Sequence, residues 1–235
     1  MNFQEYILSF IVVWLFAVAF RFRRSTVVLI SGLLIVGLSA AAALIYHQVS
    51  LQDFGLAIPI RWLSTLVLAT AGLALMLAYS PLADWIATRW FAKPPTLGVF
   101  RSLQQSTTKL IAGILIAWFL GALLEELTFR GILLKTVEGQ LSVLLPMPIA
   151  AGISICVAAI GAGIIHMYQG PRAAFIITQL SILFGLLFVL SAYNLWVVIL
   201  CHGMYDTIAF IRFASGKSRY SKFAAGPARV DVSTG

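Results

Sequence analysis

Six ionisable side chains fall inside apolar stretches of this 235-residue chain: Glu125, Glu126, Arg130, His166, His202 and Asp206. Such groups are costly in apolar surroundings, so each is a candidate functional residue. In the run Glu125-Glu126-Leu127-Thr128-Phe129-Arg130 the two carboxylates cannot play the same part. Glu126 and Arg130 are four apart, share a helix face and can pair. Glu125 is five from Arg130 and points elsewhere. A desolvated carboxylate with no fixed partner on its own helix suits a general base that takes a proton from water. His202 and Asp206 are also four apart and share a face. Asp206 can orient His202, or both can present donors to a substrate oxygen. His166 stands near the end of another apolar run, in HMYQGP. Taken singly, these groups have plainer readings: a structural ion pair with a stray glutamate, a satisfied buried pair, an interfacial histidine. Taken together, they place polar groups on three late segments and none on the first three. That asymmetry points to one polar cavity, able to activate water, carry a proton and polarise a carbonyl.

The elements that must position these residues follow from composition. Hydrophobic residues make up 61% of the chain and charged residues only 10%. Mean hydropathy is +0.98. A soluble domain carries about 25% charged residues. An ordinary soluble enzyme, a disordered protein and a nucleic-acid binder are therefore excluded. Crossing about 30 Å of hydrocarbon takes roughly 20 apolar residues. Seven segments qualify: 6–20, 26–46, 62–80, 110–134, 147–168, 173–191 and 195–213. Lipid cannot satisfy backbone polar groups, so the expected fold is all-α, a polytopic membrane bundle of about seven helices. The opening MNFQEYILSF lacks a basic region and a cleavage site and is expected to be a retained membrane helix. The closing DVSTG is no lipidation box. Cys156 and Cys201 have neither zinc nor redox spacing and are expected to be small buried hydrophobes.

The net charge of +8 comes from 16 Lys and Arg against 8 Asp and Glu. The basic residues lie between apolar runs, which makes them topology signals. Arg21, Arg23 and Arg24 follow the first segment, and Arg89, Lys93, Arg101 and Lys109 precede the fourth. Arg172 lies between the fifth and sixth, and Arg212, Lys217, Arg219, Lys222 and Arg229 end or follow the seventh. The other side has only Arg61 and Lys135. The positive-inside rule then predicts an external N-terminus and a cytoplasmic C-terminus. Residues 81–108 mix Trp85, Trp90, Phe91 and Pro94-Pro95 with basic residues, and suit either an interfacial helix or a plain loop. Residues 214–235 are small, polar and basic, and are expected to form a disordered tail near anionic headgroups.

At these residues the sequence resembles the CAAX-protease and bacteriocin-processing family, also called CPBP or Abi, which includes the type II CAAX prenyl proteases. Its EExxxR box is matched by EELTFRG at 125–131, its FxxxH box by AGIIH at 162–166, and its HxxxN or HxxxD box by HGMYD at 202–206. The resemblance covers about residues 109–213, a catalytic helical region preceded by residues 1–108. It implies an intramembrane endopeptidase working through a glutamate-activated water. Carried over, Glu125 activates water with His166 assisting, Glu126 and Arg130 form the supporting pair, and His202 and Asp206 hold the oxyanion. Ala162 stands where the family has Phe, and Asp206 where its best-characterised members have Asn. An ionised Asp206 would repel an oxyanion, so it must be protonated or act by orienting His202.

The resemblance implies a membrane-associated or lipidated peptide or protein substrate, membrane lipids as surroundings, no nucleic acid, and a bacterial plasma membrane. No cofactor is expected. Two Glu, two His and an Asp would suit a divalent metal, but HExxH is absent and Glu126 is expected to be taken by Arg130. Two other functions compete: a non-proteolytic membrane immunity or scaffold protein, and a proton-coupled transporter, against which no inverted repeat is visible. Straight antiparallel helices would put Glu125 and His166 at different depths. The fourth helix is therefore expected to tilt or break near Gly121 or Gly131, or a segment to be re-entrant. Family members present the site to the cytosol.

Overall fold

The computed structural model describes residues 3–22 and 25–220. Arg23, Arg24, Lys222, Arg229 and the part of the expected tail from 221 onward lie outside the described residues. Among the described residues, seven helices are long and apolar enough to cross a membrane: α1 Phe3–Phe22, α2 Thr26–Ile45, α3 Trp62–Trp90, α4 Thr107–Leu141, α5 Met147–Ile165, α6 Pro171–Leu190 and α7 Leu195–Ala214. There is no strand among the described residues. The expected all-α membrane bundle is thus the observed fold.

Local chemistry starts the helices. Ser25 accepts from the Val28 N–H, Ser106 from Lys109 N–H and Asn194 from Trp196 N–H, each filling an orphan donor of a first turn. Pro171 opens α6, where its missing N–H costs nothing. Two helices outrun the sequence expectation. α3 continues through Pro81 to Trp90. Proline removes one helical hydrogen bond, but contacts to α6 hold the chain beyond it. Tyr79 donates to Gln179 Oε1 (3.1 Å), and Gln179 Nε2 donates to the Ala83 carbonyl (3.2 Å). Asp84 takes the Arg172 guanidinium at 2.7 Å. An acid therefore sits on the part of α3 that extends beyond the apolar stretch 62–80. α4 likewise runs past 134 to Leu141, where Glu138 accepts from the Tyr193 hydroxyl at 2.5 Å. No separate helix forms over 81–97, where residues 81–90 continue α3. After Trp90 the chain is irregular, pinned by Thr96 N–H to the Gln169 carbonyl (2.7 Å), and closes with a 3-10 turn at Gly98–Gln104.

α4 is the axis of the bundle. Every side chain from Leu127 to Leu134 is buried, with Phe129 fully enclosed. A helix buried on all sides is apolar all round; the exceptions here are Thr128, whose hydroxyl donates to the Leu124 carbonyl, and Arg130. Stretches 117–125 and 127–134 are wound with π geometry, a rare form that clusters at functional sites. The outside of the bundle is apolar as well: Val13, Leu38 and Leu63 are exposed, as a lipid-facing surface requires. Cys201 is buried as expected, but Cys156 is exposed on α5.

Small residues let the helices of the site approach. The Trp118 indole lies flat against Gly203, where a Cβ would collide with the ring, and its Nε1 donates to Thr207 Oγ1 at 3.0 Å. Gly163 is closed off by the Thr178 side chain and the Ala174 carbonyl of α6. Close approach through small residues is the usual basis of packing in lipid. Gly203→Ala forces Trp118 away and is expected to destabilise the fold by about 1–3 kcal/mol. Thermal unfolding of the detergent-purified protein measures it, and an unchanged midpoint would show that the indole shifts freely.

Candidate active site

Three elements bring the six residues together. α4 carries Glu125, Glu126 and Arg130, the end of α5 carries His166, and α7 carries His202 and Asp206. The expected helix-face pair is present, with Arg130 Nη1 3.2 Å from Glu126 Oε1 and Oε2. The same Glu126 Oε1 lies 2.6 Å from His202 Nδ1. A carboxylate beside a guanidinium accepts, so Nδ1 carries a proton and the other ring nitrogen, Nε2, faces Asp206 Oδ2 at 3.5 Å. Glu125 Oε1 lies 4.0 Å from His166 Nε2.

His166 has a fixed tautomer. Its Nδ1 lies 2.8 Å from the Ala162 carbonyl oxygen, which can only accept. Nδ1 therefore holds the proton, and the Nε2 lone pair turns toward Glu125. The last carbonyls of a helix have no helical partner, which makes this one available to a side chain four residues on. The bond uses the backbone of residue 162, so alanine serves as well as phenylalanine.

The expected conflict in depth disappears because α4 is longer than expected. Depth in an antiparallel pair is set by distance from the shared turn. Glu125 lies 16 residues before Leu141, and His166 lies 19 residues after Met147. At about 1.5 Å per residue these are nearly level. Neither Gly121 nor Gly131 breaks the helix, and both lie within its π-wound part. Gly121 also lets α7 come close, since a Cβ there would stand 3.2 Å from Asp206 Oδ2.

Burial divides the cluster in two. The Glu126 and Arg130 side chains are sealed, at 0% and 3% exposure. Those of Glu125, His166, His202 and Asp206 keep between 14% and 24%. The inner pair builds, and the outer four face the space where a reaction could occur. Two members of the inner network have no signal in the sequence. Ser181 of α6 accepts from Arg130 Nη2 through both Oγ (2.5 Å) and its carbonyl (2.9 Å). The Phe184 ring stacks on His202 at 4.9 Å and underlies the Arg130 guanidinium at 5.4 Å. A serine and a phenylalanine in an apolar helix are unremarkable until packing shows what they touch.

Glu126 Oε1 and His202 Nδ1 are taken by each other and by Arg130 Nη1, which removes these two atoms from any metal's ligand set. Among the described residues no three His, Cys, Asp or Glu side chains are arranged to hold one. A cleft of about 910 Å³ bounded by Arg61, Glu138, Tyr193 and Asn194 contains none of the six residues.

Residues 107–208 match the family model described as type II CAAX prenyl endopeptidase Rce1-like. No curated protein and no solved structure matches the chain. The matched segment runs from the start of α4 into α7 and contains all six side chains of the cluster. With its three boxes and seven apolar helices, the chain is similar through this segment to the CAAX-protease family.

Proposed function

We propose that this protein is an intramembrane endopeptidase that hydrolyses a peptide bond of a membrane-associated or lipidated substrate with a glutamate-activated water. The observation that carries this reading is the pair formed by Glu125 and His166, 4.0 Å apart and partly open, beside a sealed Glu126–Arg130 pair. Glu125 takes a proton from water. His166, whose Nε2 lone pair faces the same space, orients that water. The hydroxide forms a bond to the scissile carbonyl carbon, and the C=O electron pair moves to oxygen. His202, as an imidazolium between Glu126 and Asp206, presents its Nε2–H to that oxygen, with the ring held by Glu126 below and Phe184 behind. Asp206 acts on His202, at 3.5 Å, rather than on the oxyanion. The intermediate collapses as the C–N bond breaks and the proton on Glu125 passes to the leaving amine.

The basic residues support a plasma-membrane placement with the C-terminus in the cytoplasm. Arg89, Arg172, Arg212 and Arg219 all belong to one end of the bundle, the end where α5 delivers His166. The site would then draw its water from the cytoplasmic side.

The decisive comparison is of membrane and released peptides from cells making wild type and Glu125→Ala at equal folded abundance. Peptides made only by the wild type are expected, with the variant down by about a hundred to ten thousandfold, the range for a lost general base. Identical peptide profiles, with the cellular phenotype kept in Glu125→Gln, would favour an immunity or scaffold protein. Excess chelator is expected to leave the rate of the purified enzyme unchanged. Loss of activity that added zinc restores would overturn the metal-free mechanism.

A further inference from the structure

In this site the third box ends in Asp206, an acceptor when ionised, where a second donor to the oxyanion would be useful. A donor stands nearby that none of the three boxes contains. Tyr168 lies in the 3-10 turn Met167–Gln169, directly after His166. Its ring stacks on the His166 ring, with centroids 6.0 Å apart and planes 28° from parallel. The phenol oxygen accepts from Gln169 Nε2 at 2.8 Å. That leaves the O–H proton as the group's remaining hydrogen-bonding capacity, and no described residue accepts it. Burial, with the carboxylates of Glu125 and Asp206 close enough to act on it, pushes the Tyr168 phenol up to about 12. It keeps its proton at neutral pH and remains a donor.

The turn is fixed from both sides. The buried Gln169 holds the hydroxyl, and its own carbonyl is held by Thr96 N–H at 2.7 Å. Gly170, at a φ of +99°, ends the turn in a conformation that L side chains rarely adopt, and Pro171 starts α6 at once. A donor fixed in advance loses nothing to reorganisation when charge develops, and this is how an oxyanion site works.

We propose that Tyr168 is a further catalytic residue of this site, whose hydroxyl donates a hydrogen bond to the carbonyl oxygen of the substrate as water adds. The inference rests on the proteolytic reading above. Tyr168 supplies a donor on the His166 side of the scissile carbonyl and His202 one on the α7 side. No proton leaves the phenol: water gives its proton to Glu125, and the leaving amine receives it.

The test uses the full chain in proteoliposomes and a quenched fluorogenic form of a peptide whose release in cells depends on Glu125. Tyr168→Phe keeps the ring and removes the donor. Its kcat is expected to fall about a hundred to a thousandfold, as for one lost oxyanion donor, with KM unchanged and the thermal midpoint lowered only by the lost Gln169 hydrogen bond. A peptidyl phosphonate, which mimics the tetrahedral intermediate, should lose affinity for Tyr168→Phe in parallel with kcat. Tyr168→Ala also removes the ring and should lower the thermal midpoint further. Full activity in Tyr168→Phe beside an inactive Glu125→Ala overturns this inference alone. A loss confined to KM or to the midpoint also overturns it and makes Tyr168 structural. Equal peptide profiles for wild type and Glu125→Ala overturn the proteolytic reading and this inference with it.

Discussion

A guanidinium and a carboxylate enclosed among apolar helices must satisfy each other, because no water reaches them. The Glu126–Arg130 pair meets this constraint only in part, since Glu126 Oε2 and Arg130 Nε have no hydrogen-bond partner among the described residues, and much of the bundle is arranged around it. Removing one partner of a buried pair costs about 3–5 kcal/mol, since the survivor is left charged and unpaired. The pair therefore demands further partners, and they come from other helices. Ser181 brings α6 to Arg130, and His202 brings α7 to Glu126. Phe184 fills the space between guanidinium and imidazole. A network of this kind specifies which helix faces meet as well as how firmly.

The same constraint separates structure from chemistry. Sealing Glu126 and Arg130 fixes α4 in rotation about its axis, and Glu125, one residue earlier, is then turned toward the partly open side. A single Glu-Glu step thus yields one structural and one reactive carboxylate. The π winding of α4 belongs to this arrangement, since its two stretches contain Glu125 and Arg130 and meet at Glu126. His166 completes the reactive half by a different device, a helix-end carbonyl that fixes its tautomer. Neither device depends on the identity of the side chain at 162.

The His166 turn is braced at the end of the bundle that carries the C-terminus. Arg172, just beyond it, binds Asp84 of α3, which also receives Arg219 (2.5 Å) and the Tyr220 hydroxyl. One buried aspartate thereby joins α3, the start of α6 and the segment that follows α7. This accounts for the helix that continues past Pro81: the proline weakens one hydrogen bond, and the ion cluster holds the next turns in place.

Composition and periodicity alone determined the solvent of this protein and the number of its spans, because burying backbone in lipid leaves few alternatives to helices of the required length. Spacing alone determined that Glu126 meets Arg130 and that His202 approaches Asp206, since side chains four apart on a helix are neighbours wherever that helix lies. The three boxes also drew attention to all six side chains. Tertiary structure decided the rest. His202 meets Glu126 across 76 residues of sequence and Ser181 meets Arg130 across 51. Glu125 and His166 come level only because α4 reaches Leu141 before the chain turns. Tyr168 acquires its place through a ring stack and an amide outside any box. These contacts depend on helix rotation, length and depth, which are set by packing against neighbours, and an apolar sequence that is uniform around the helix records none of the three.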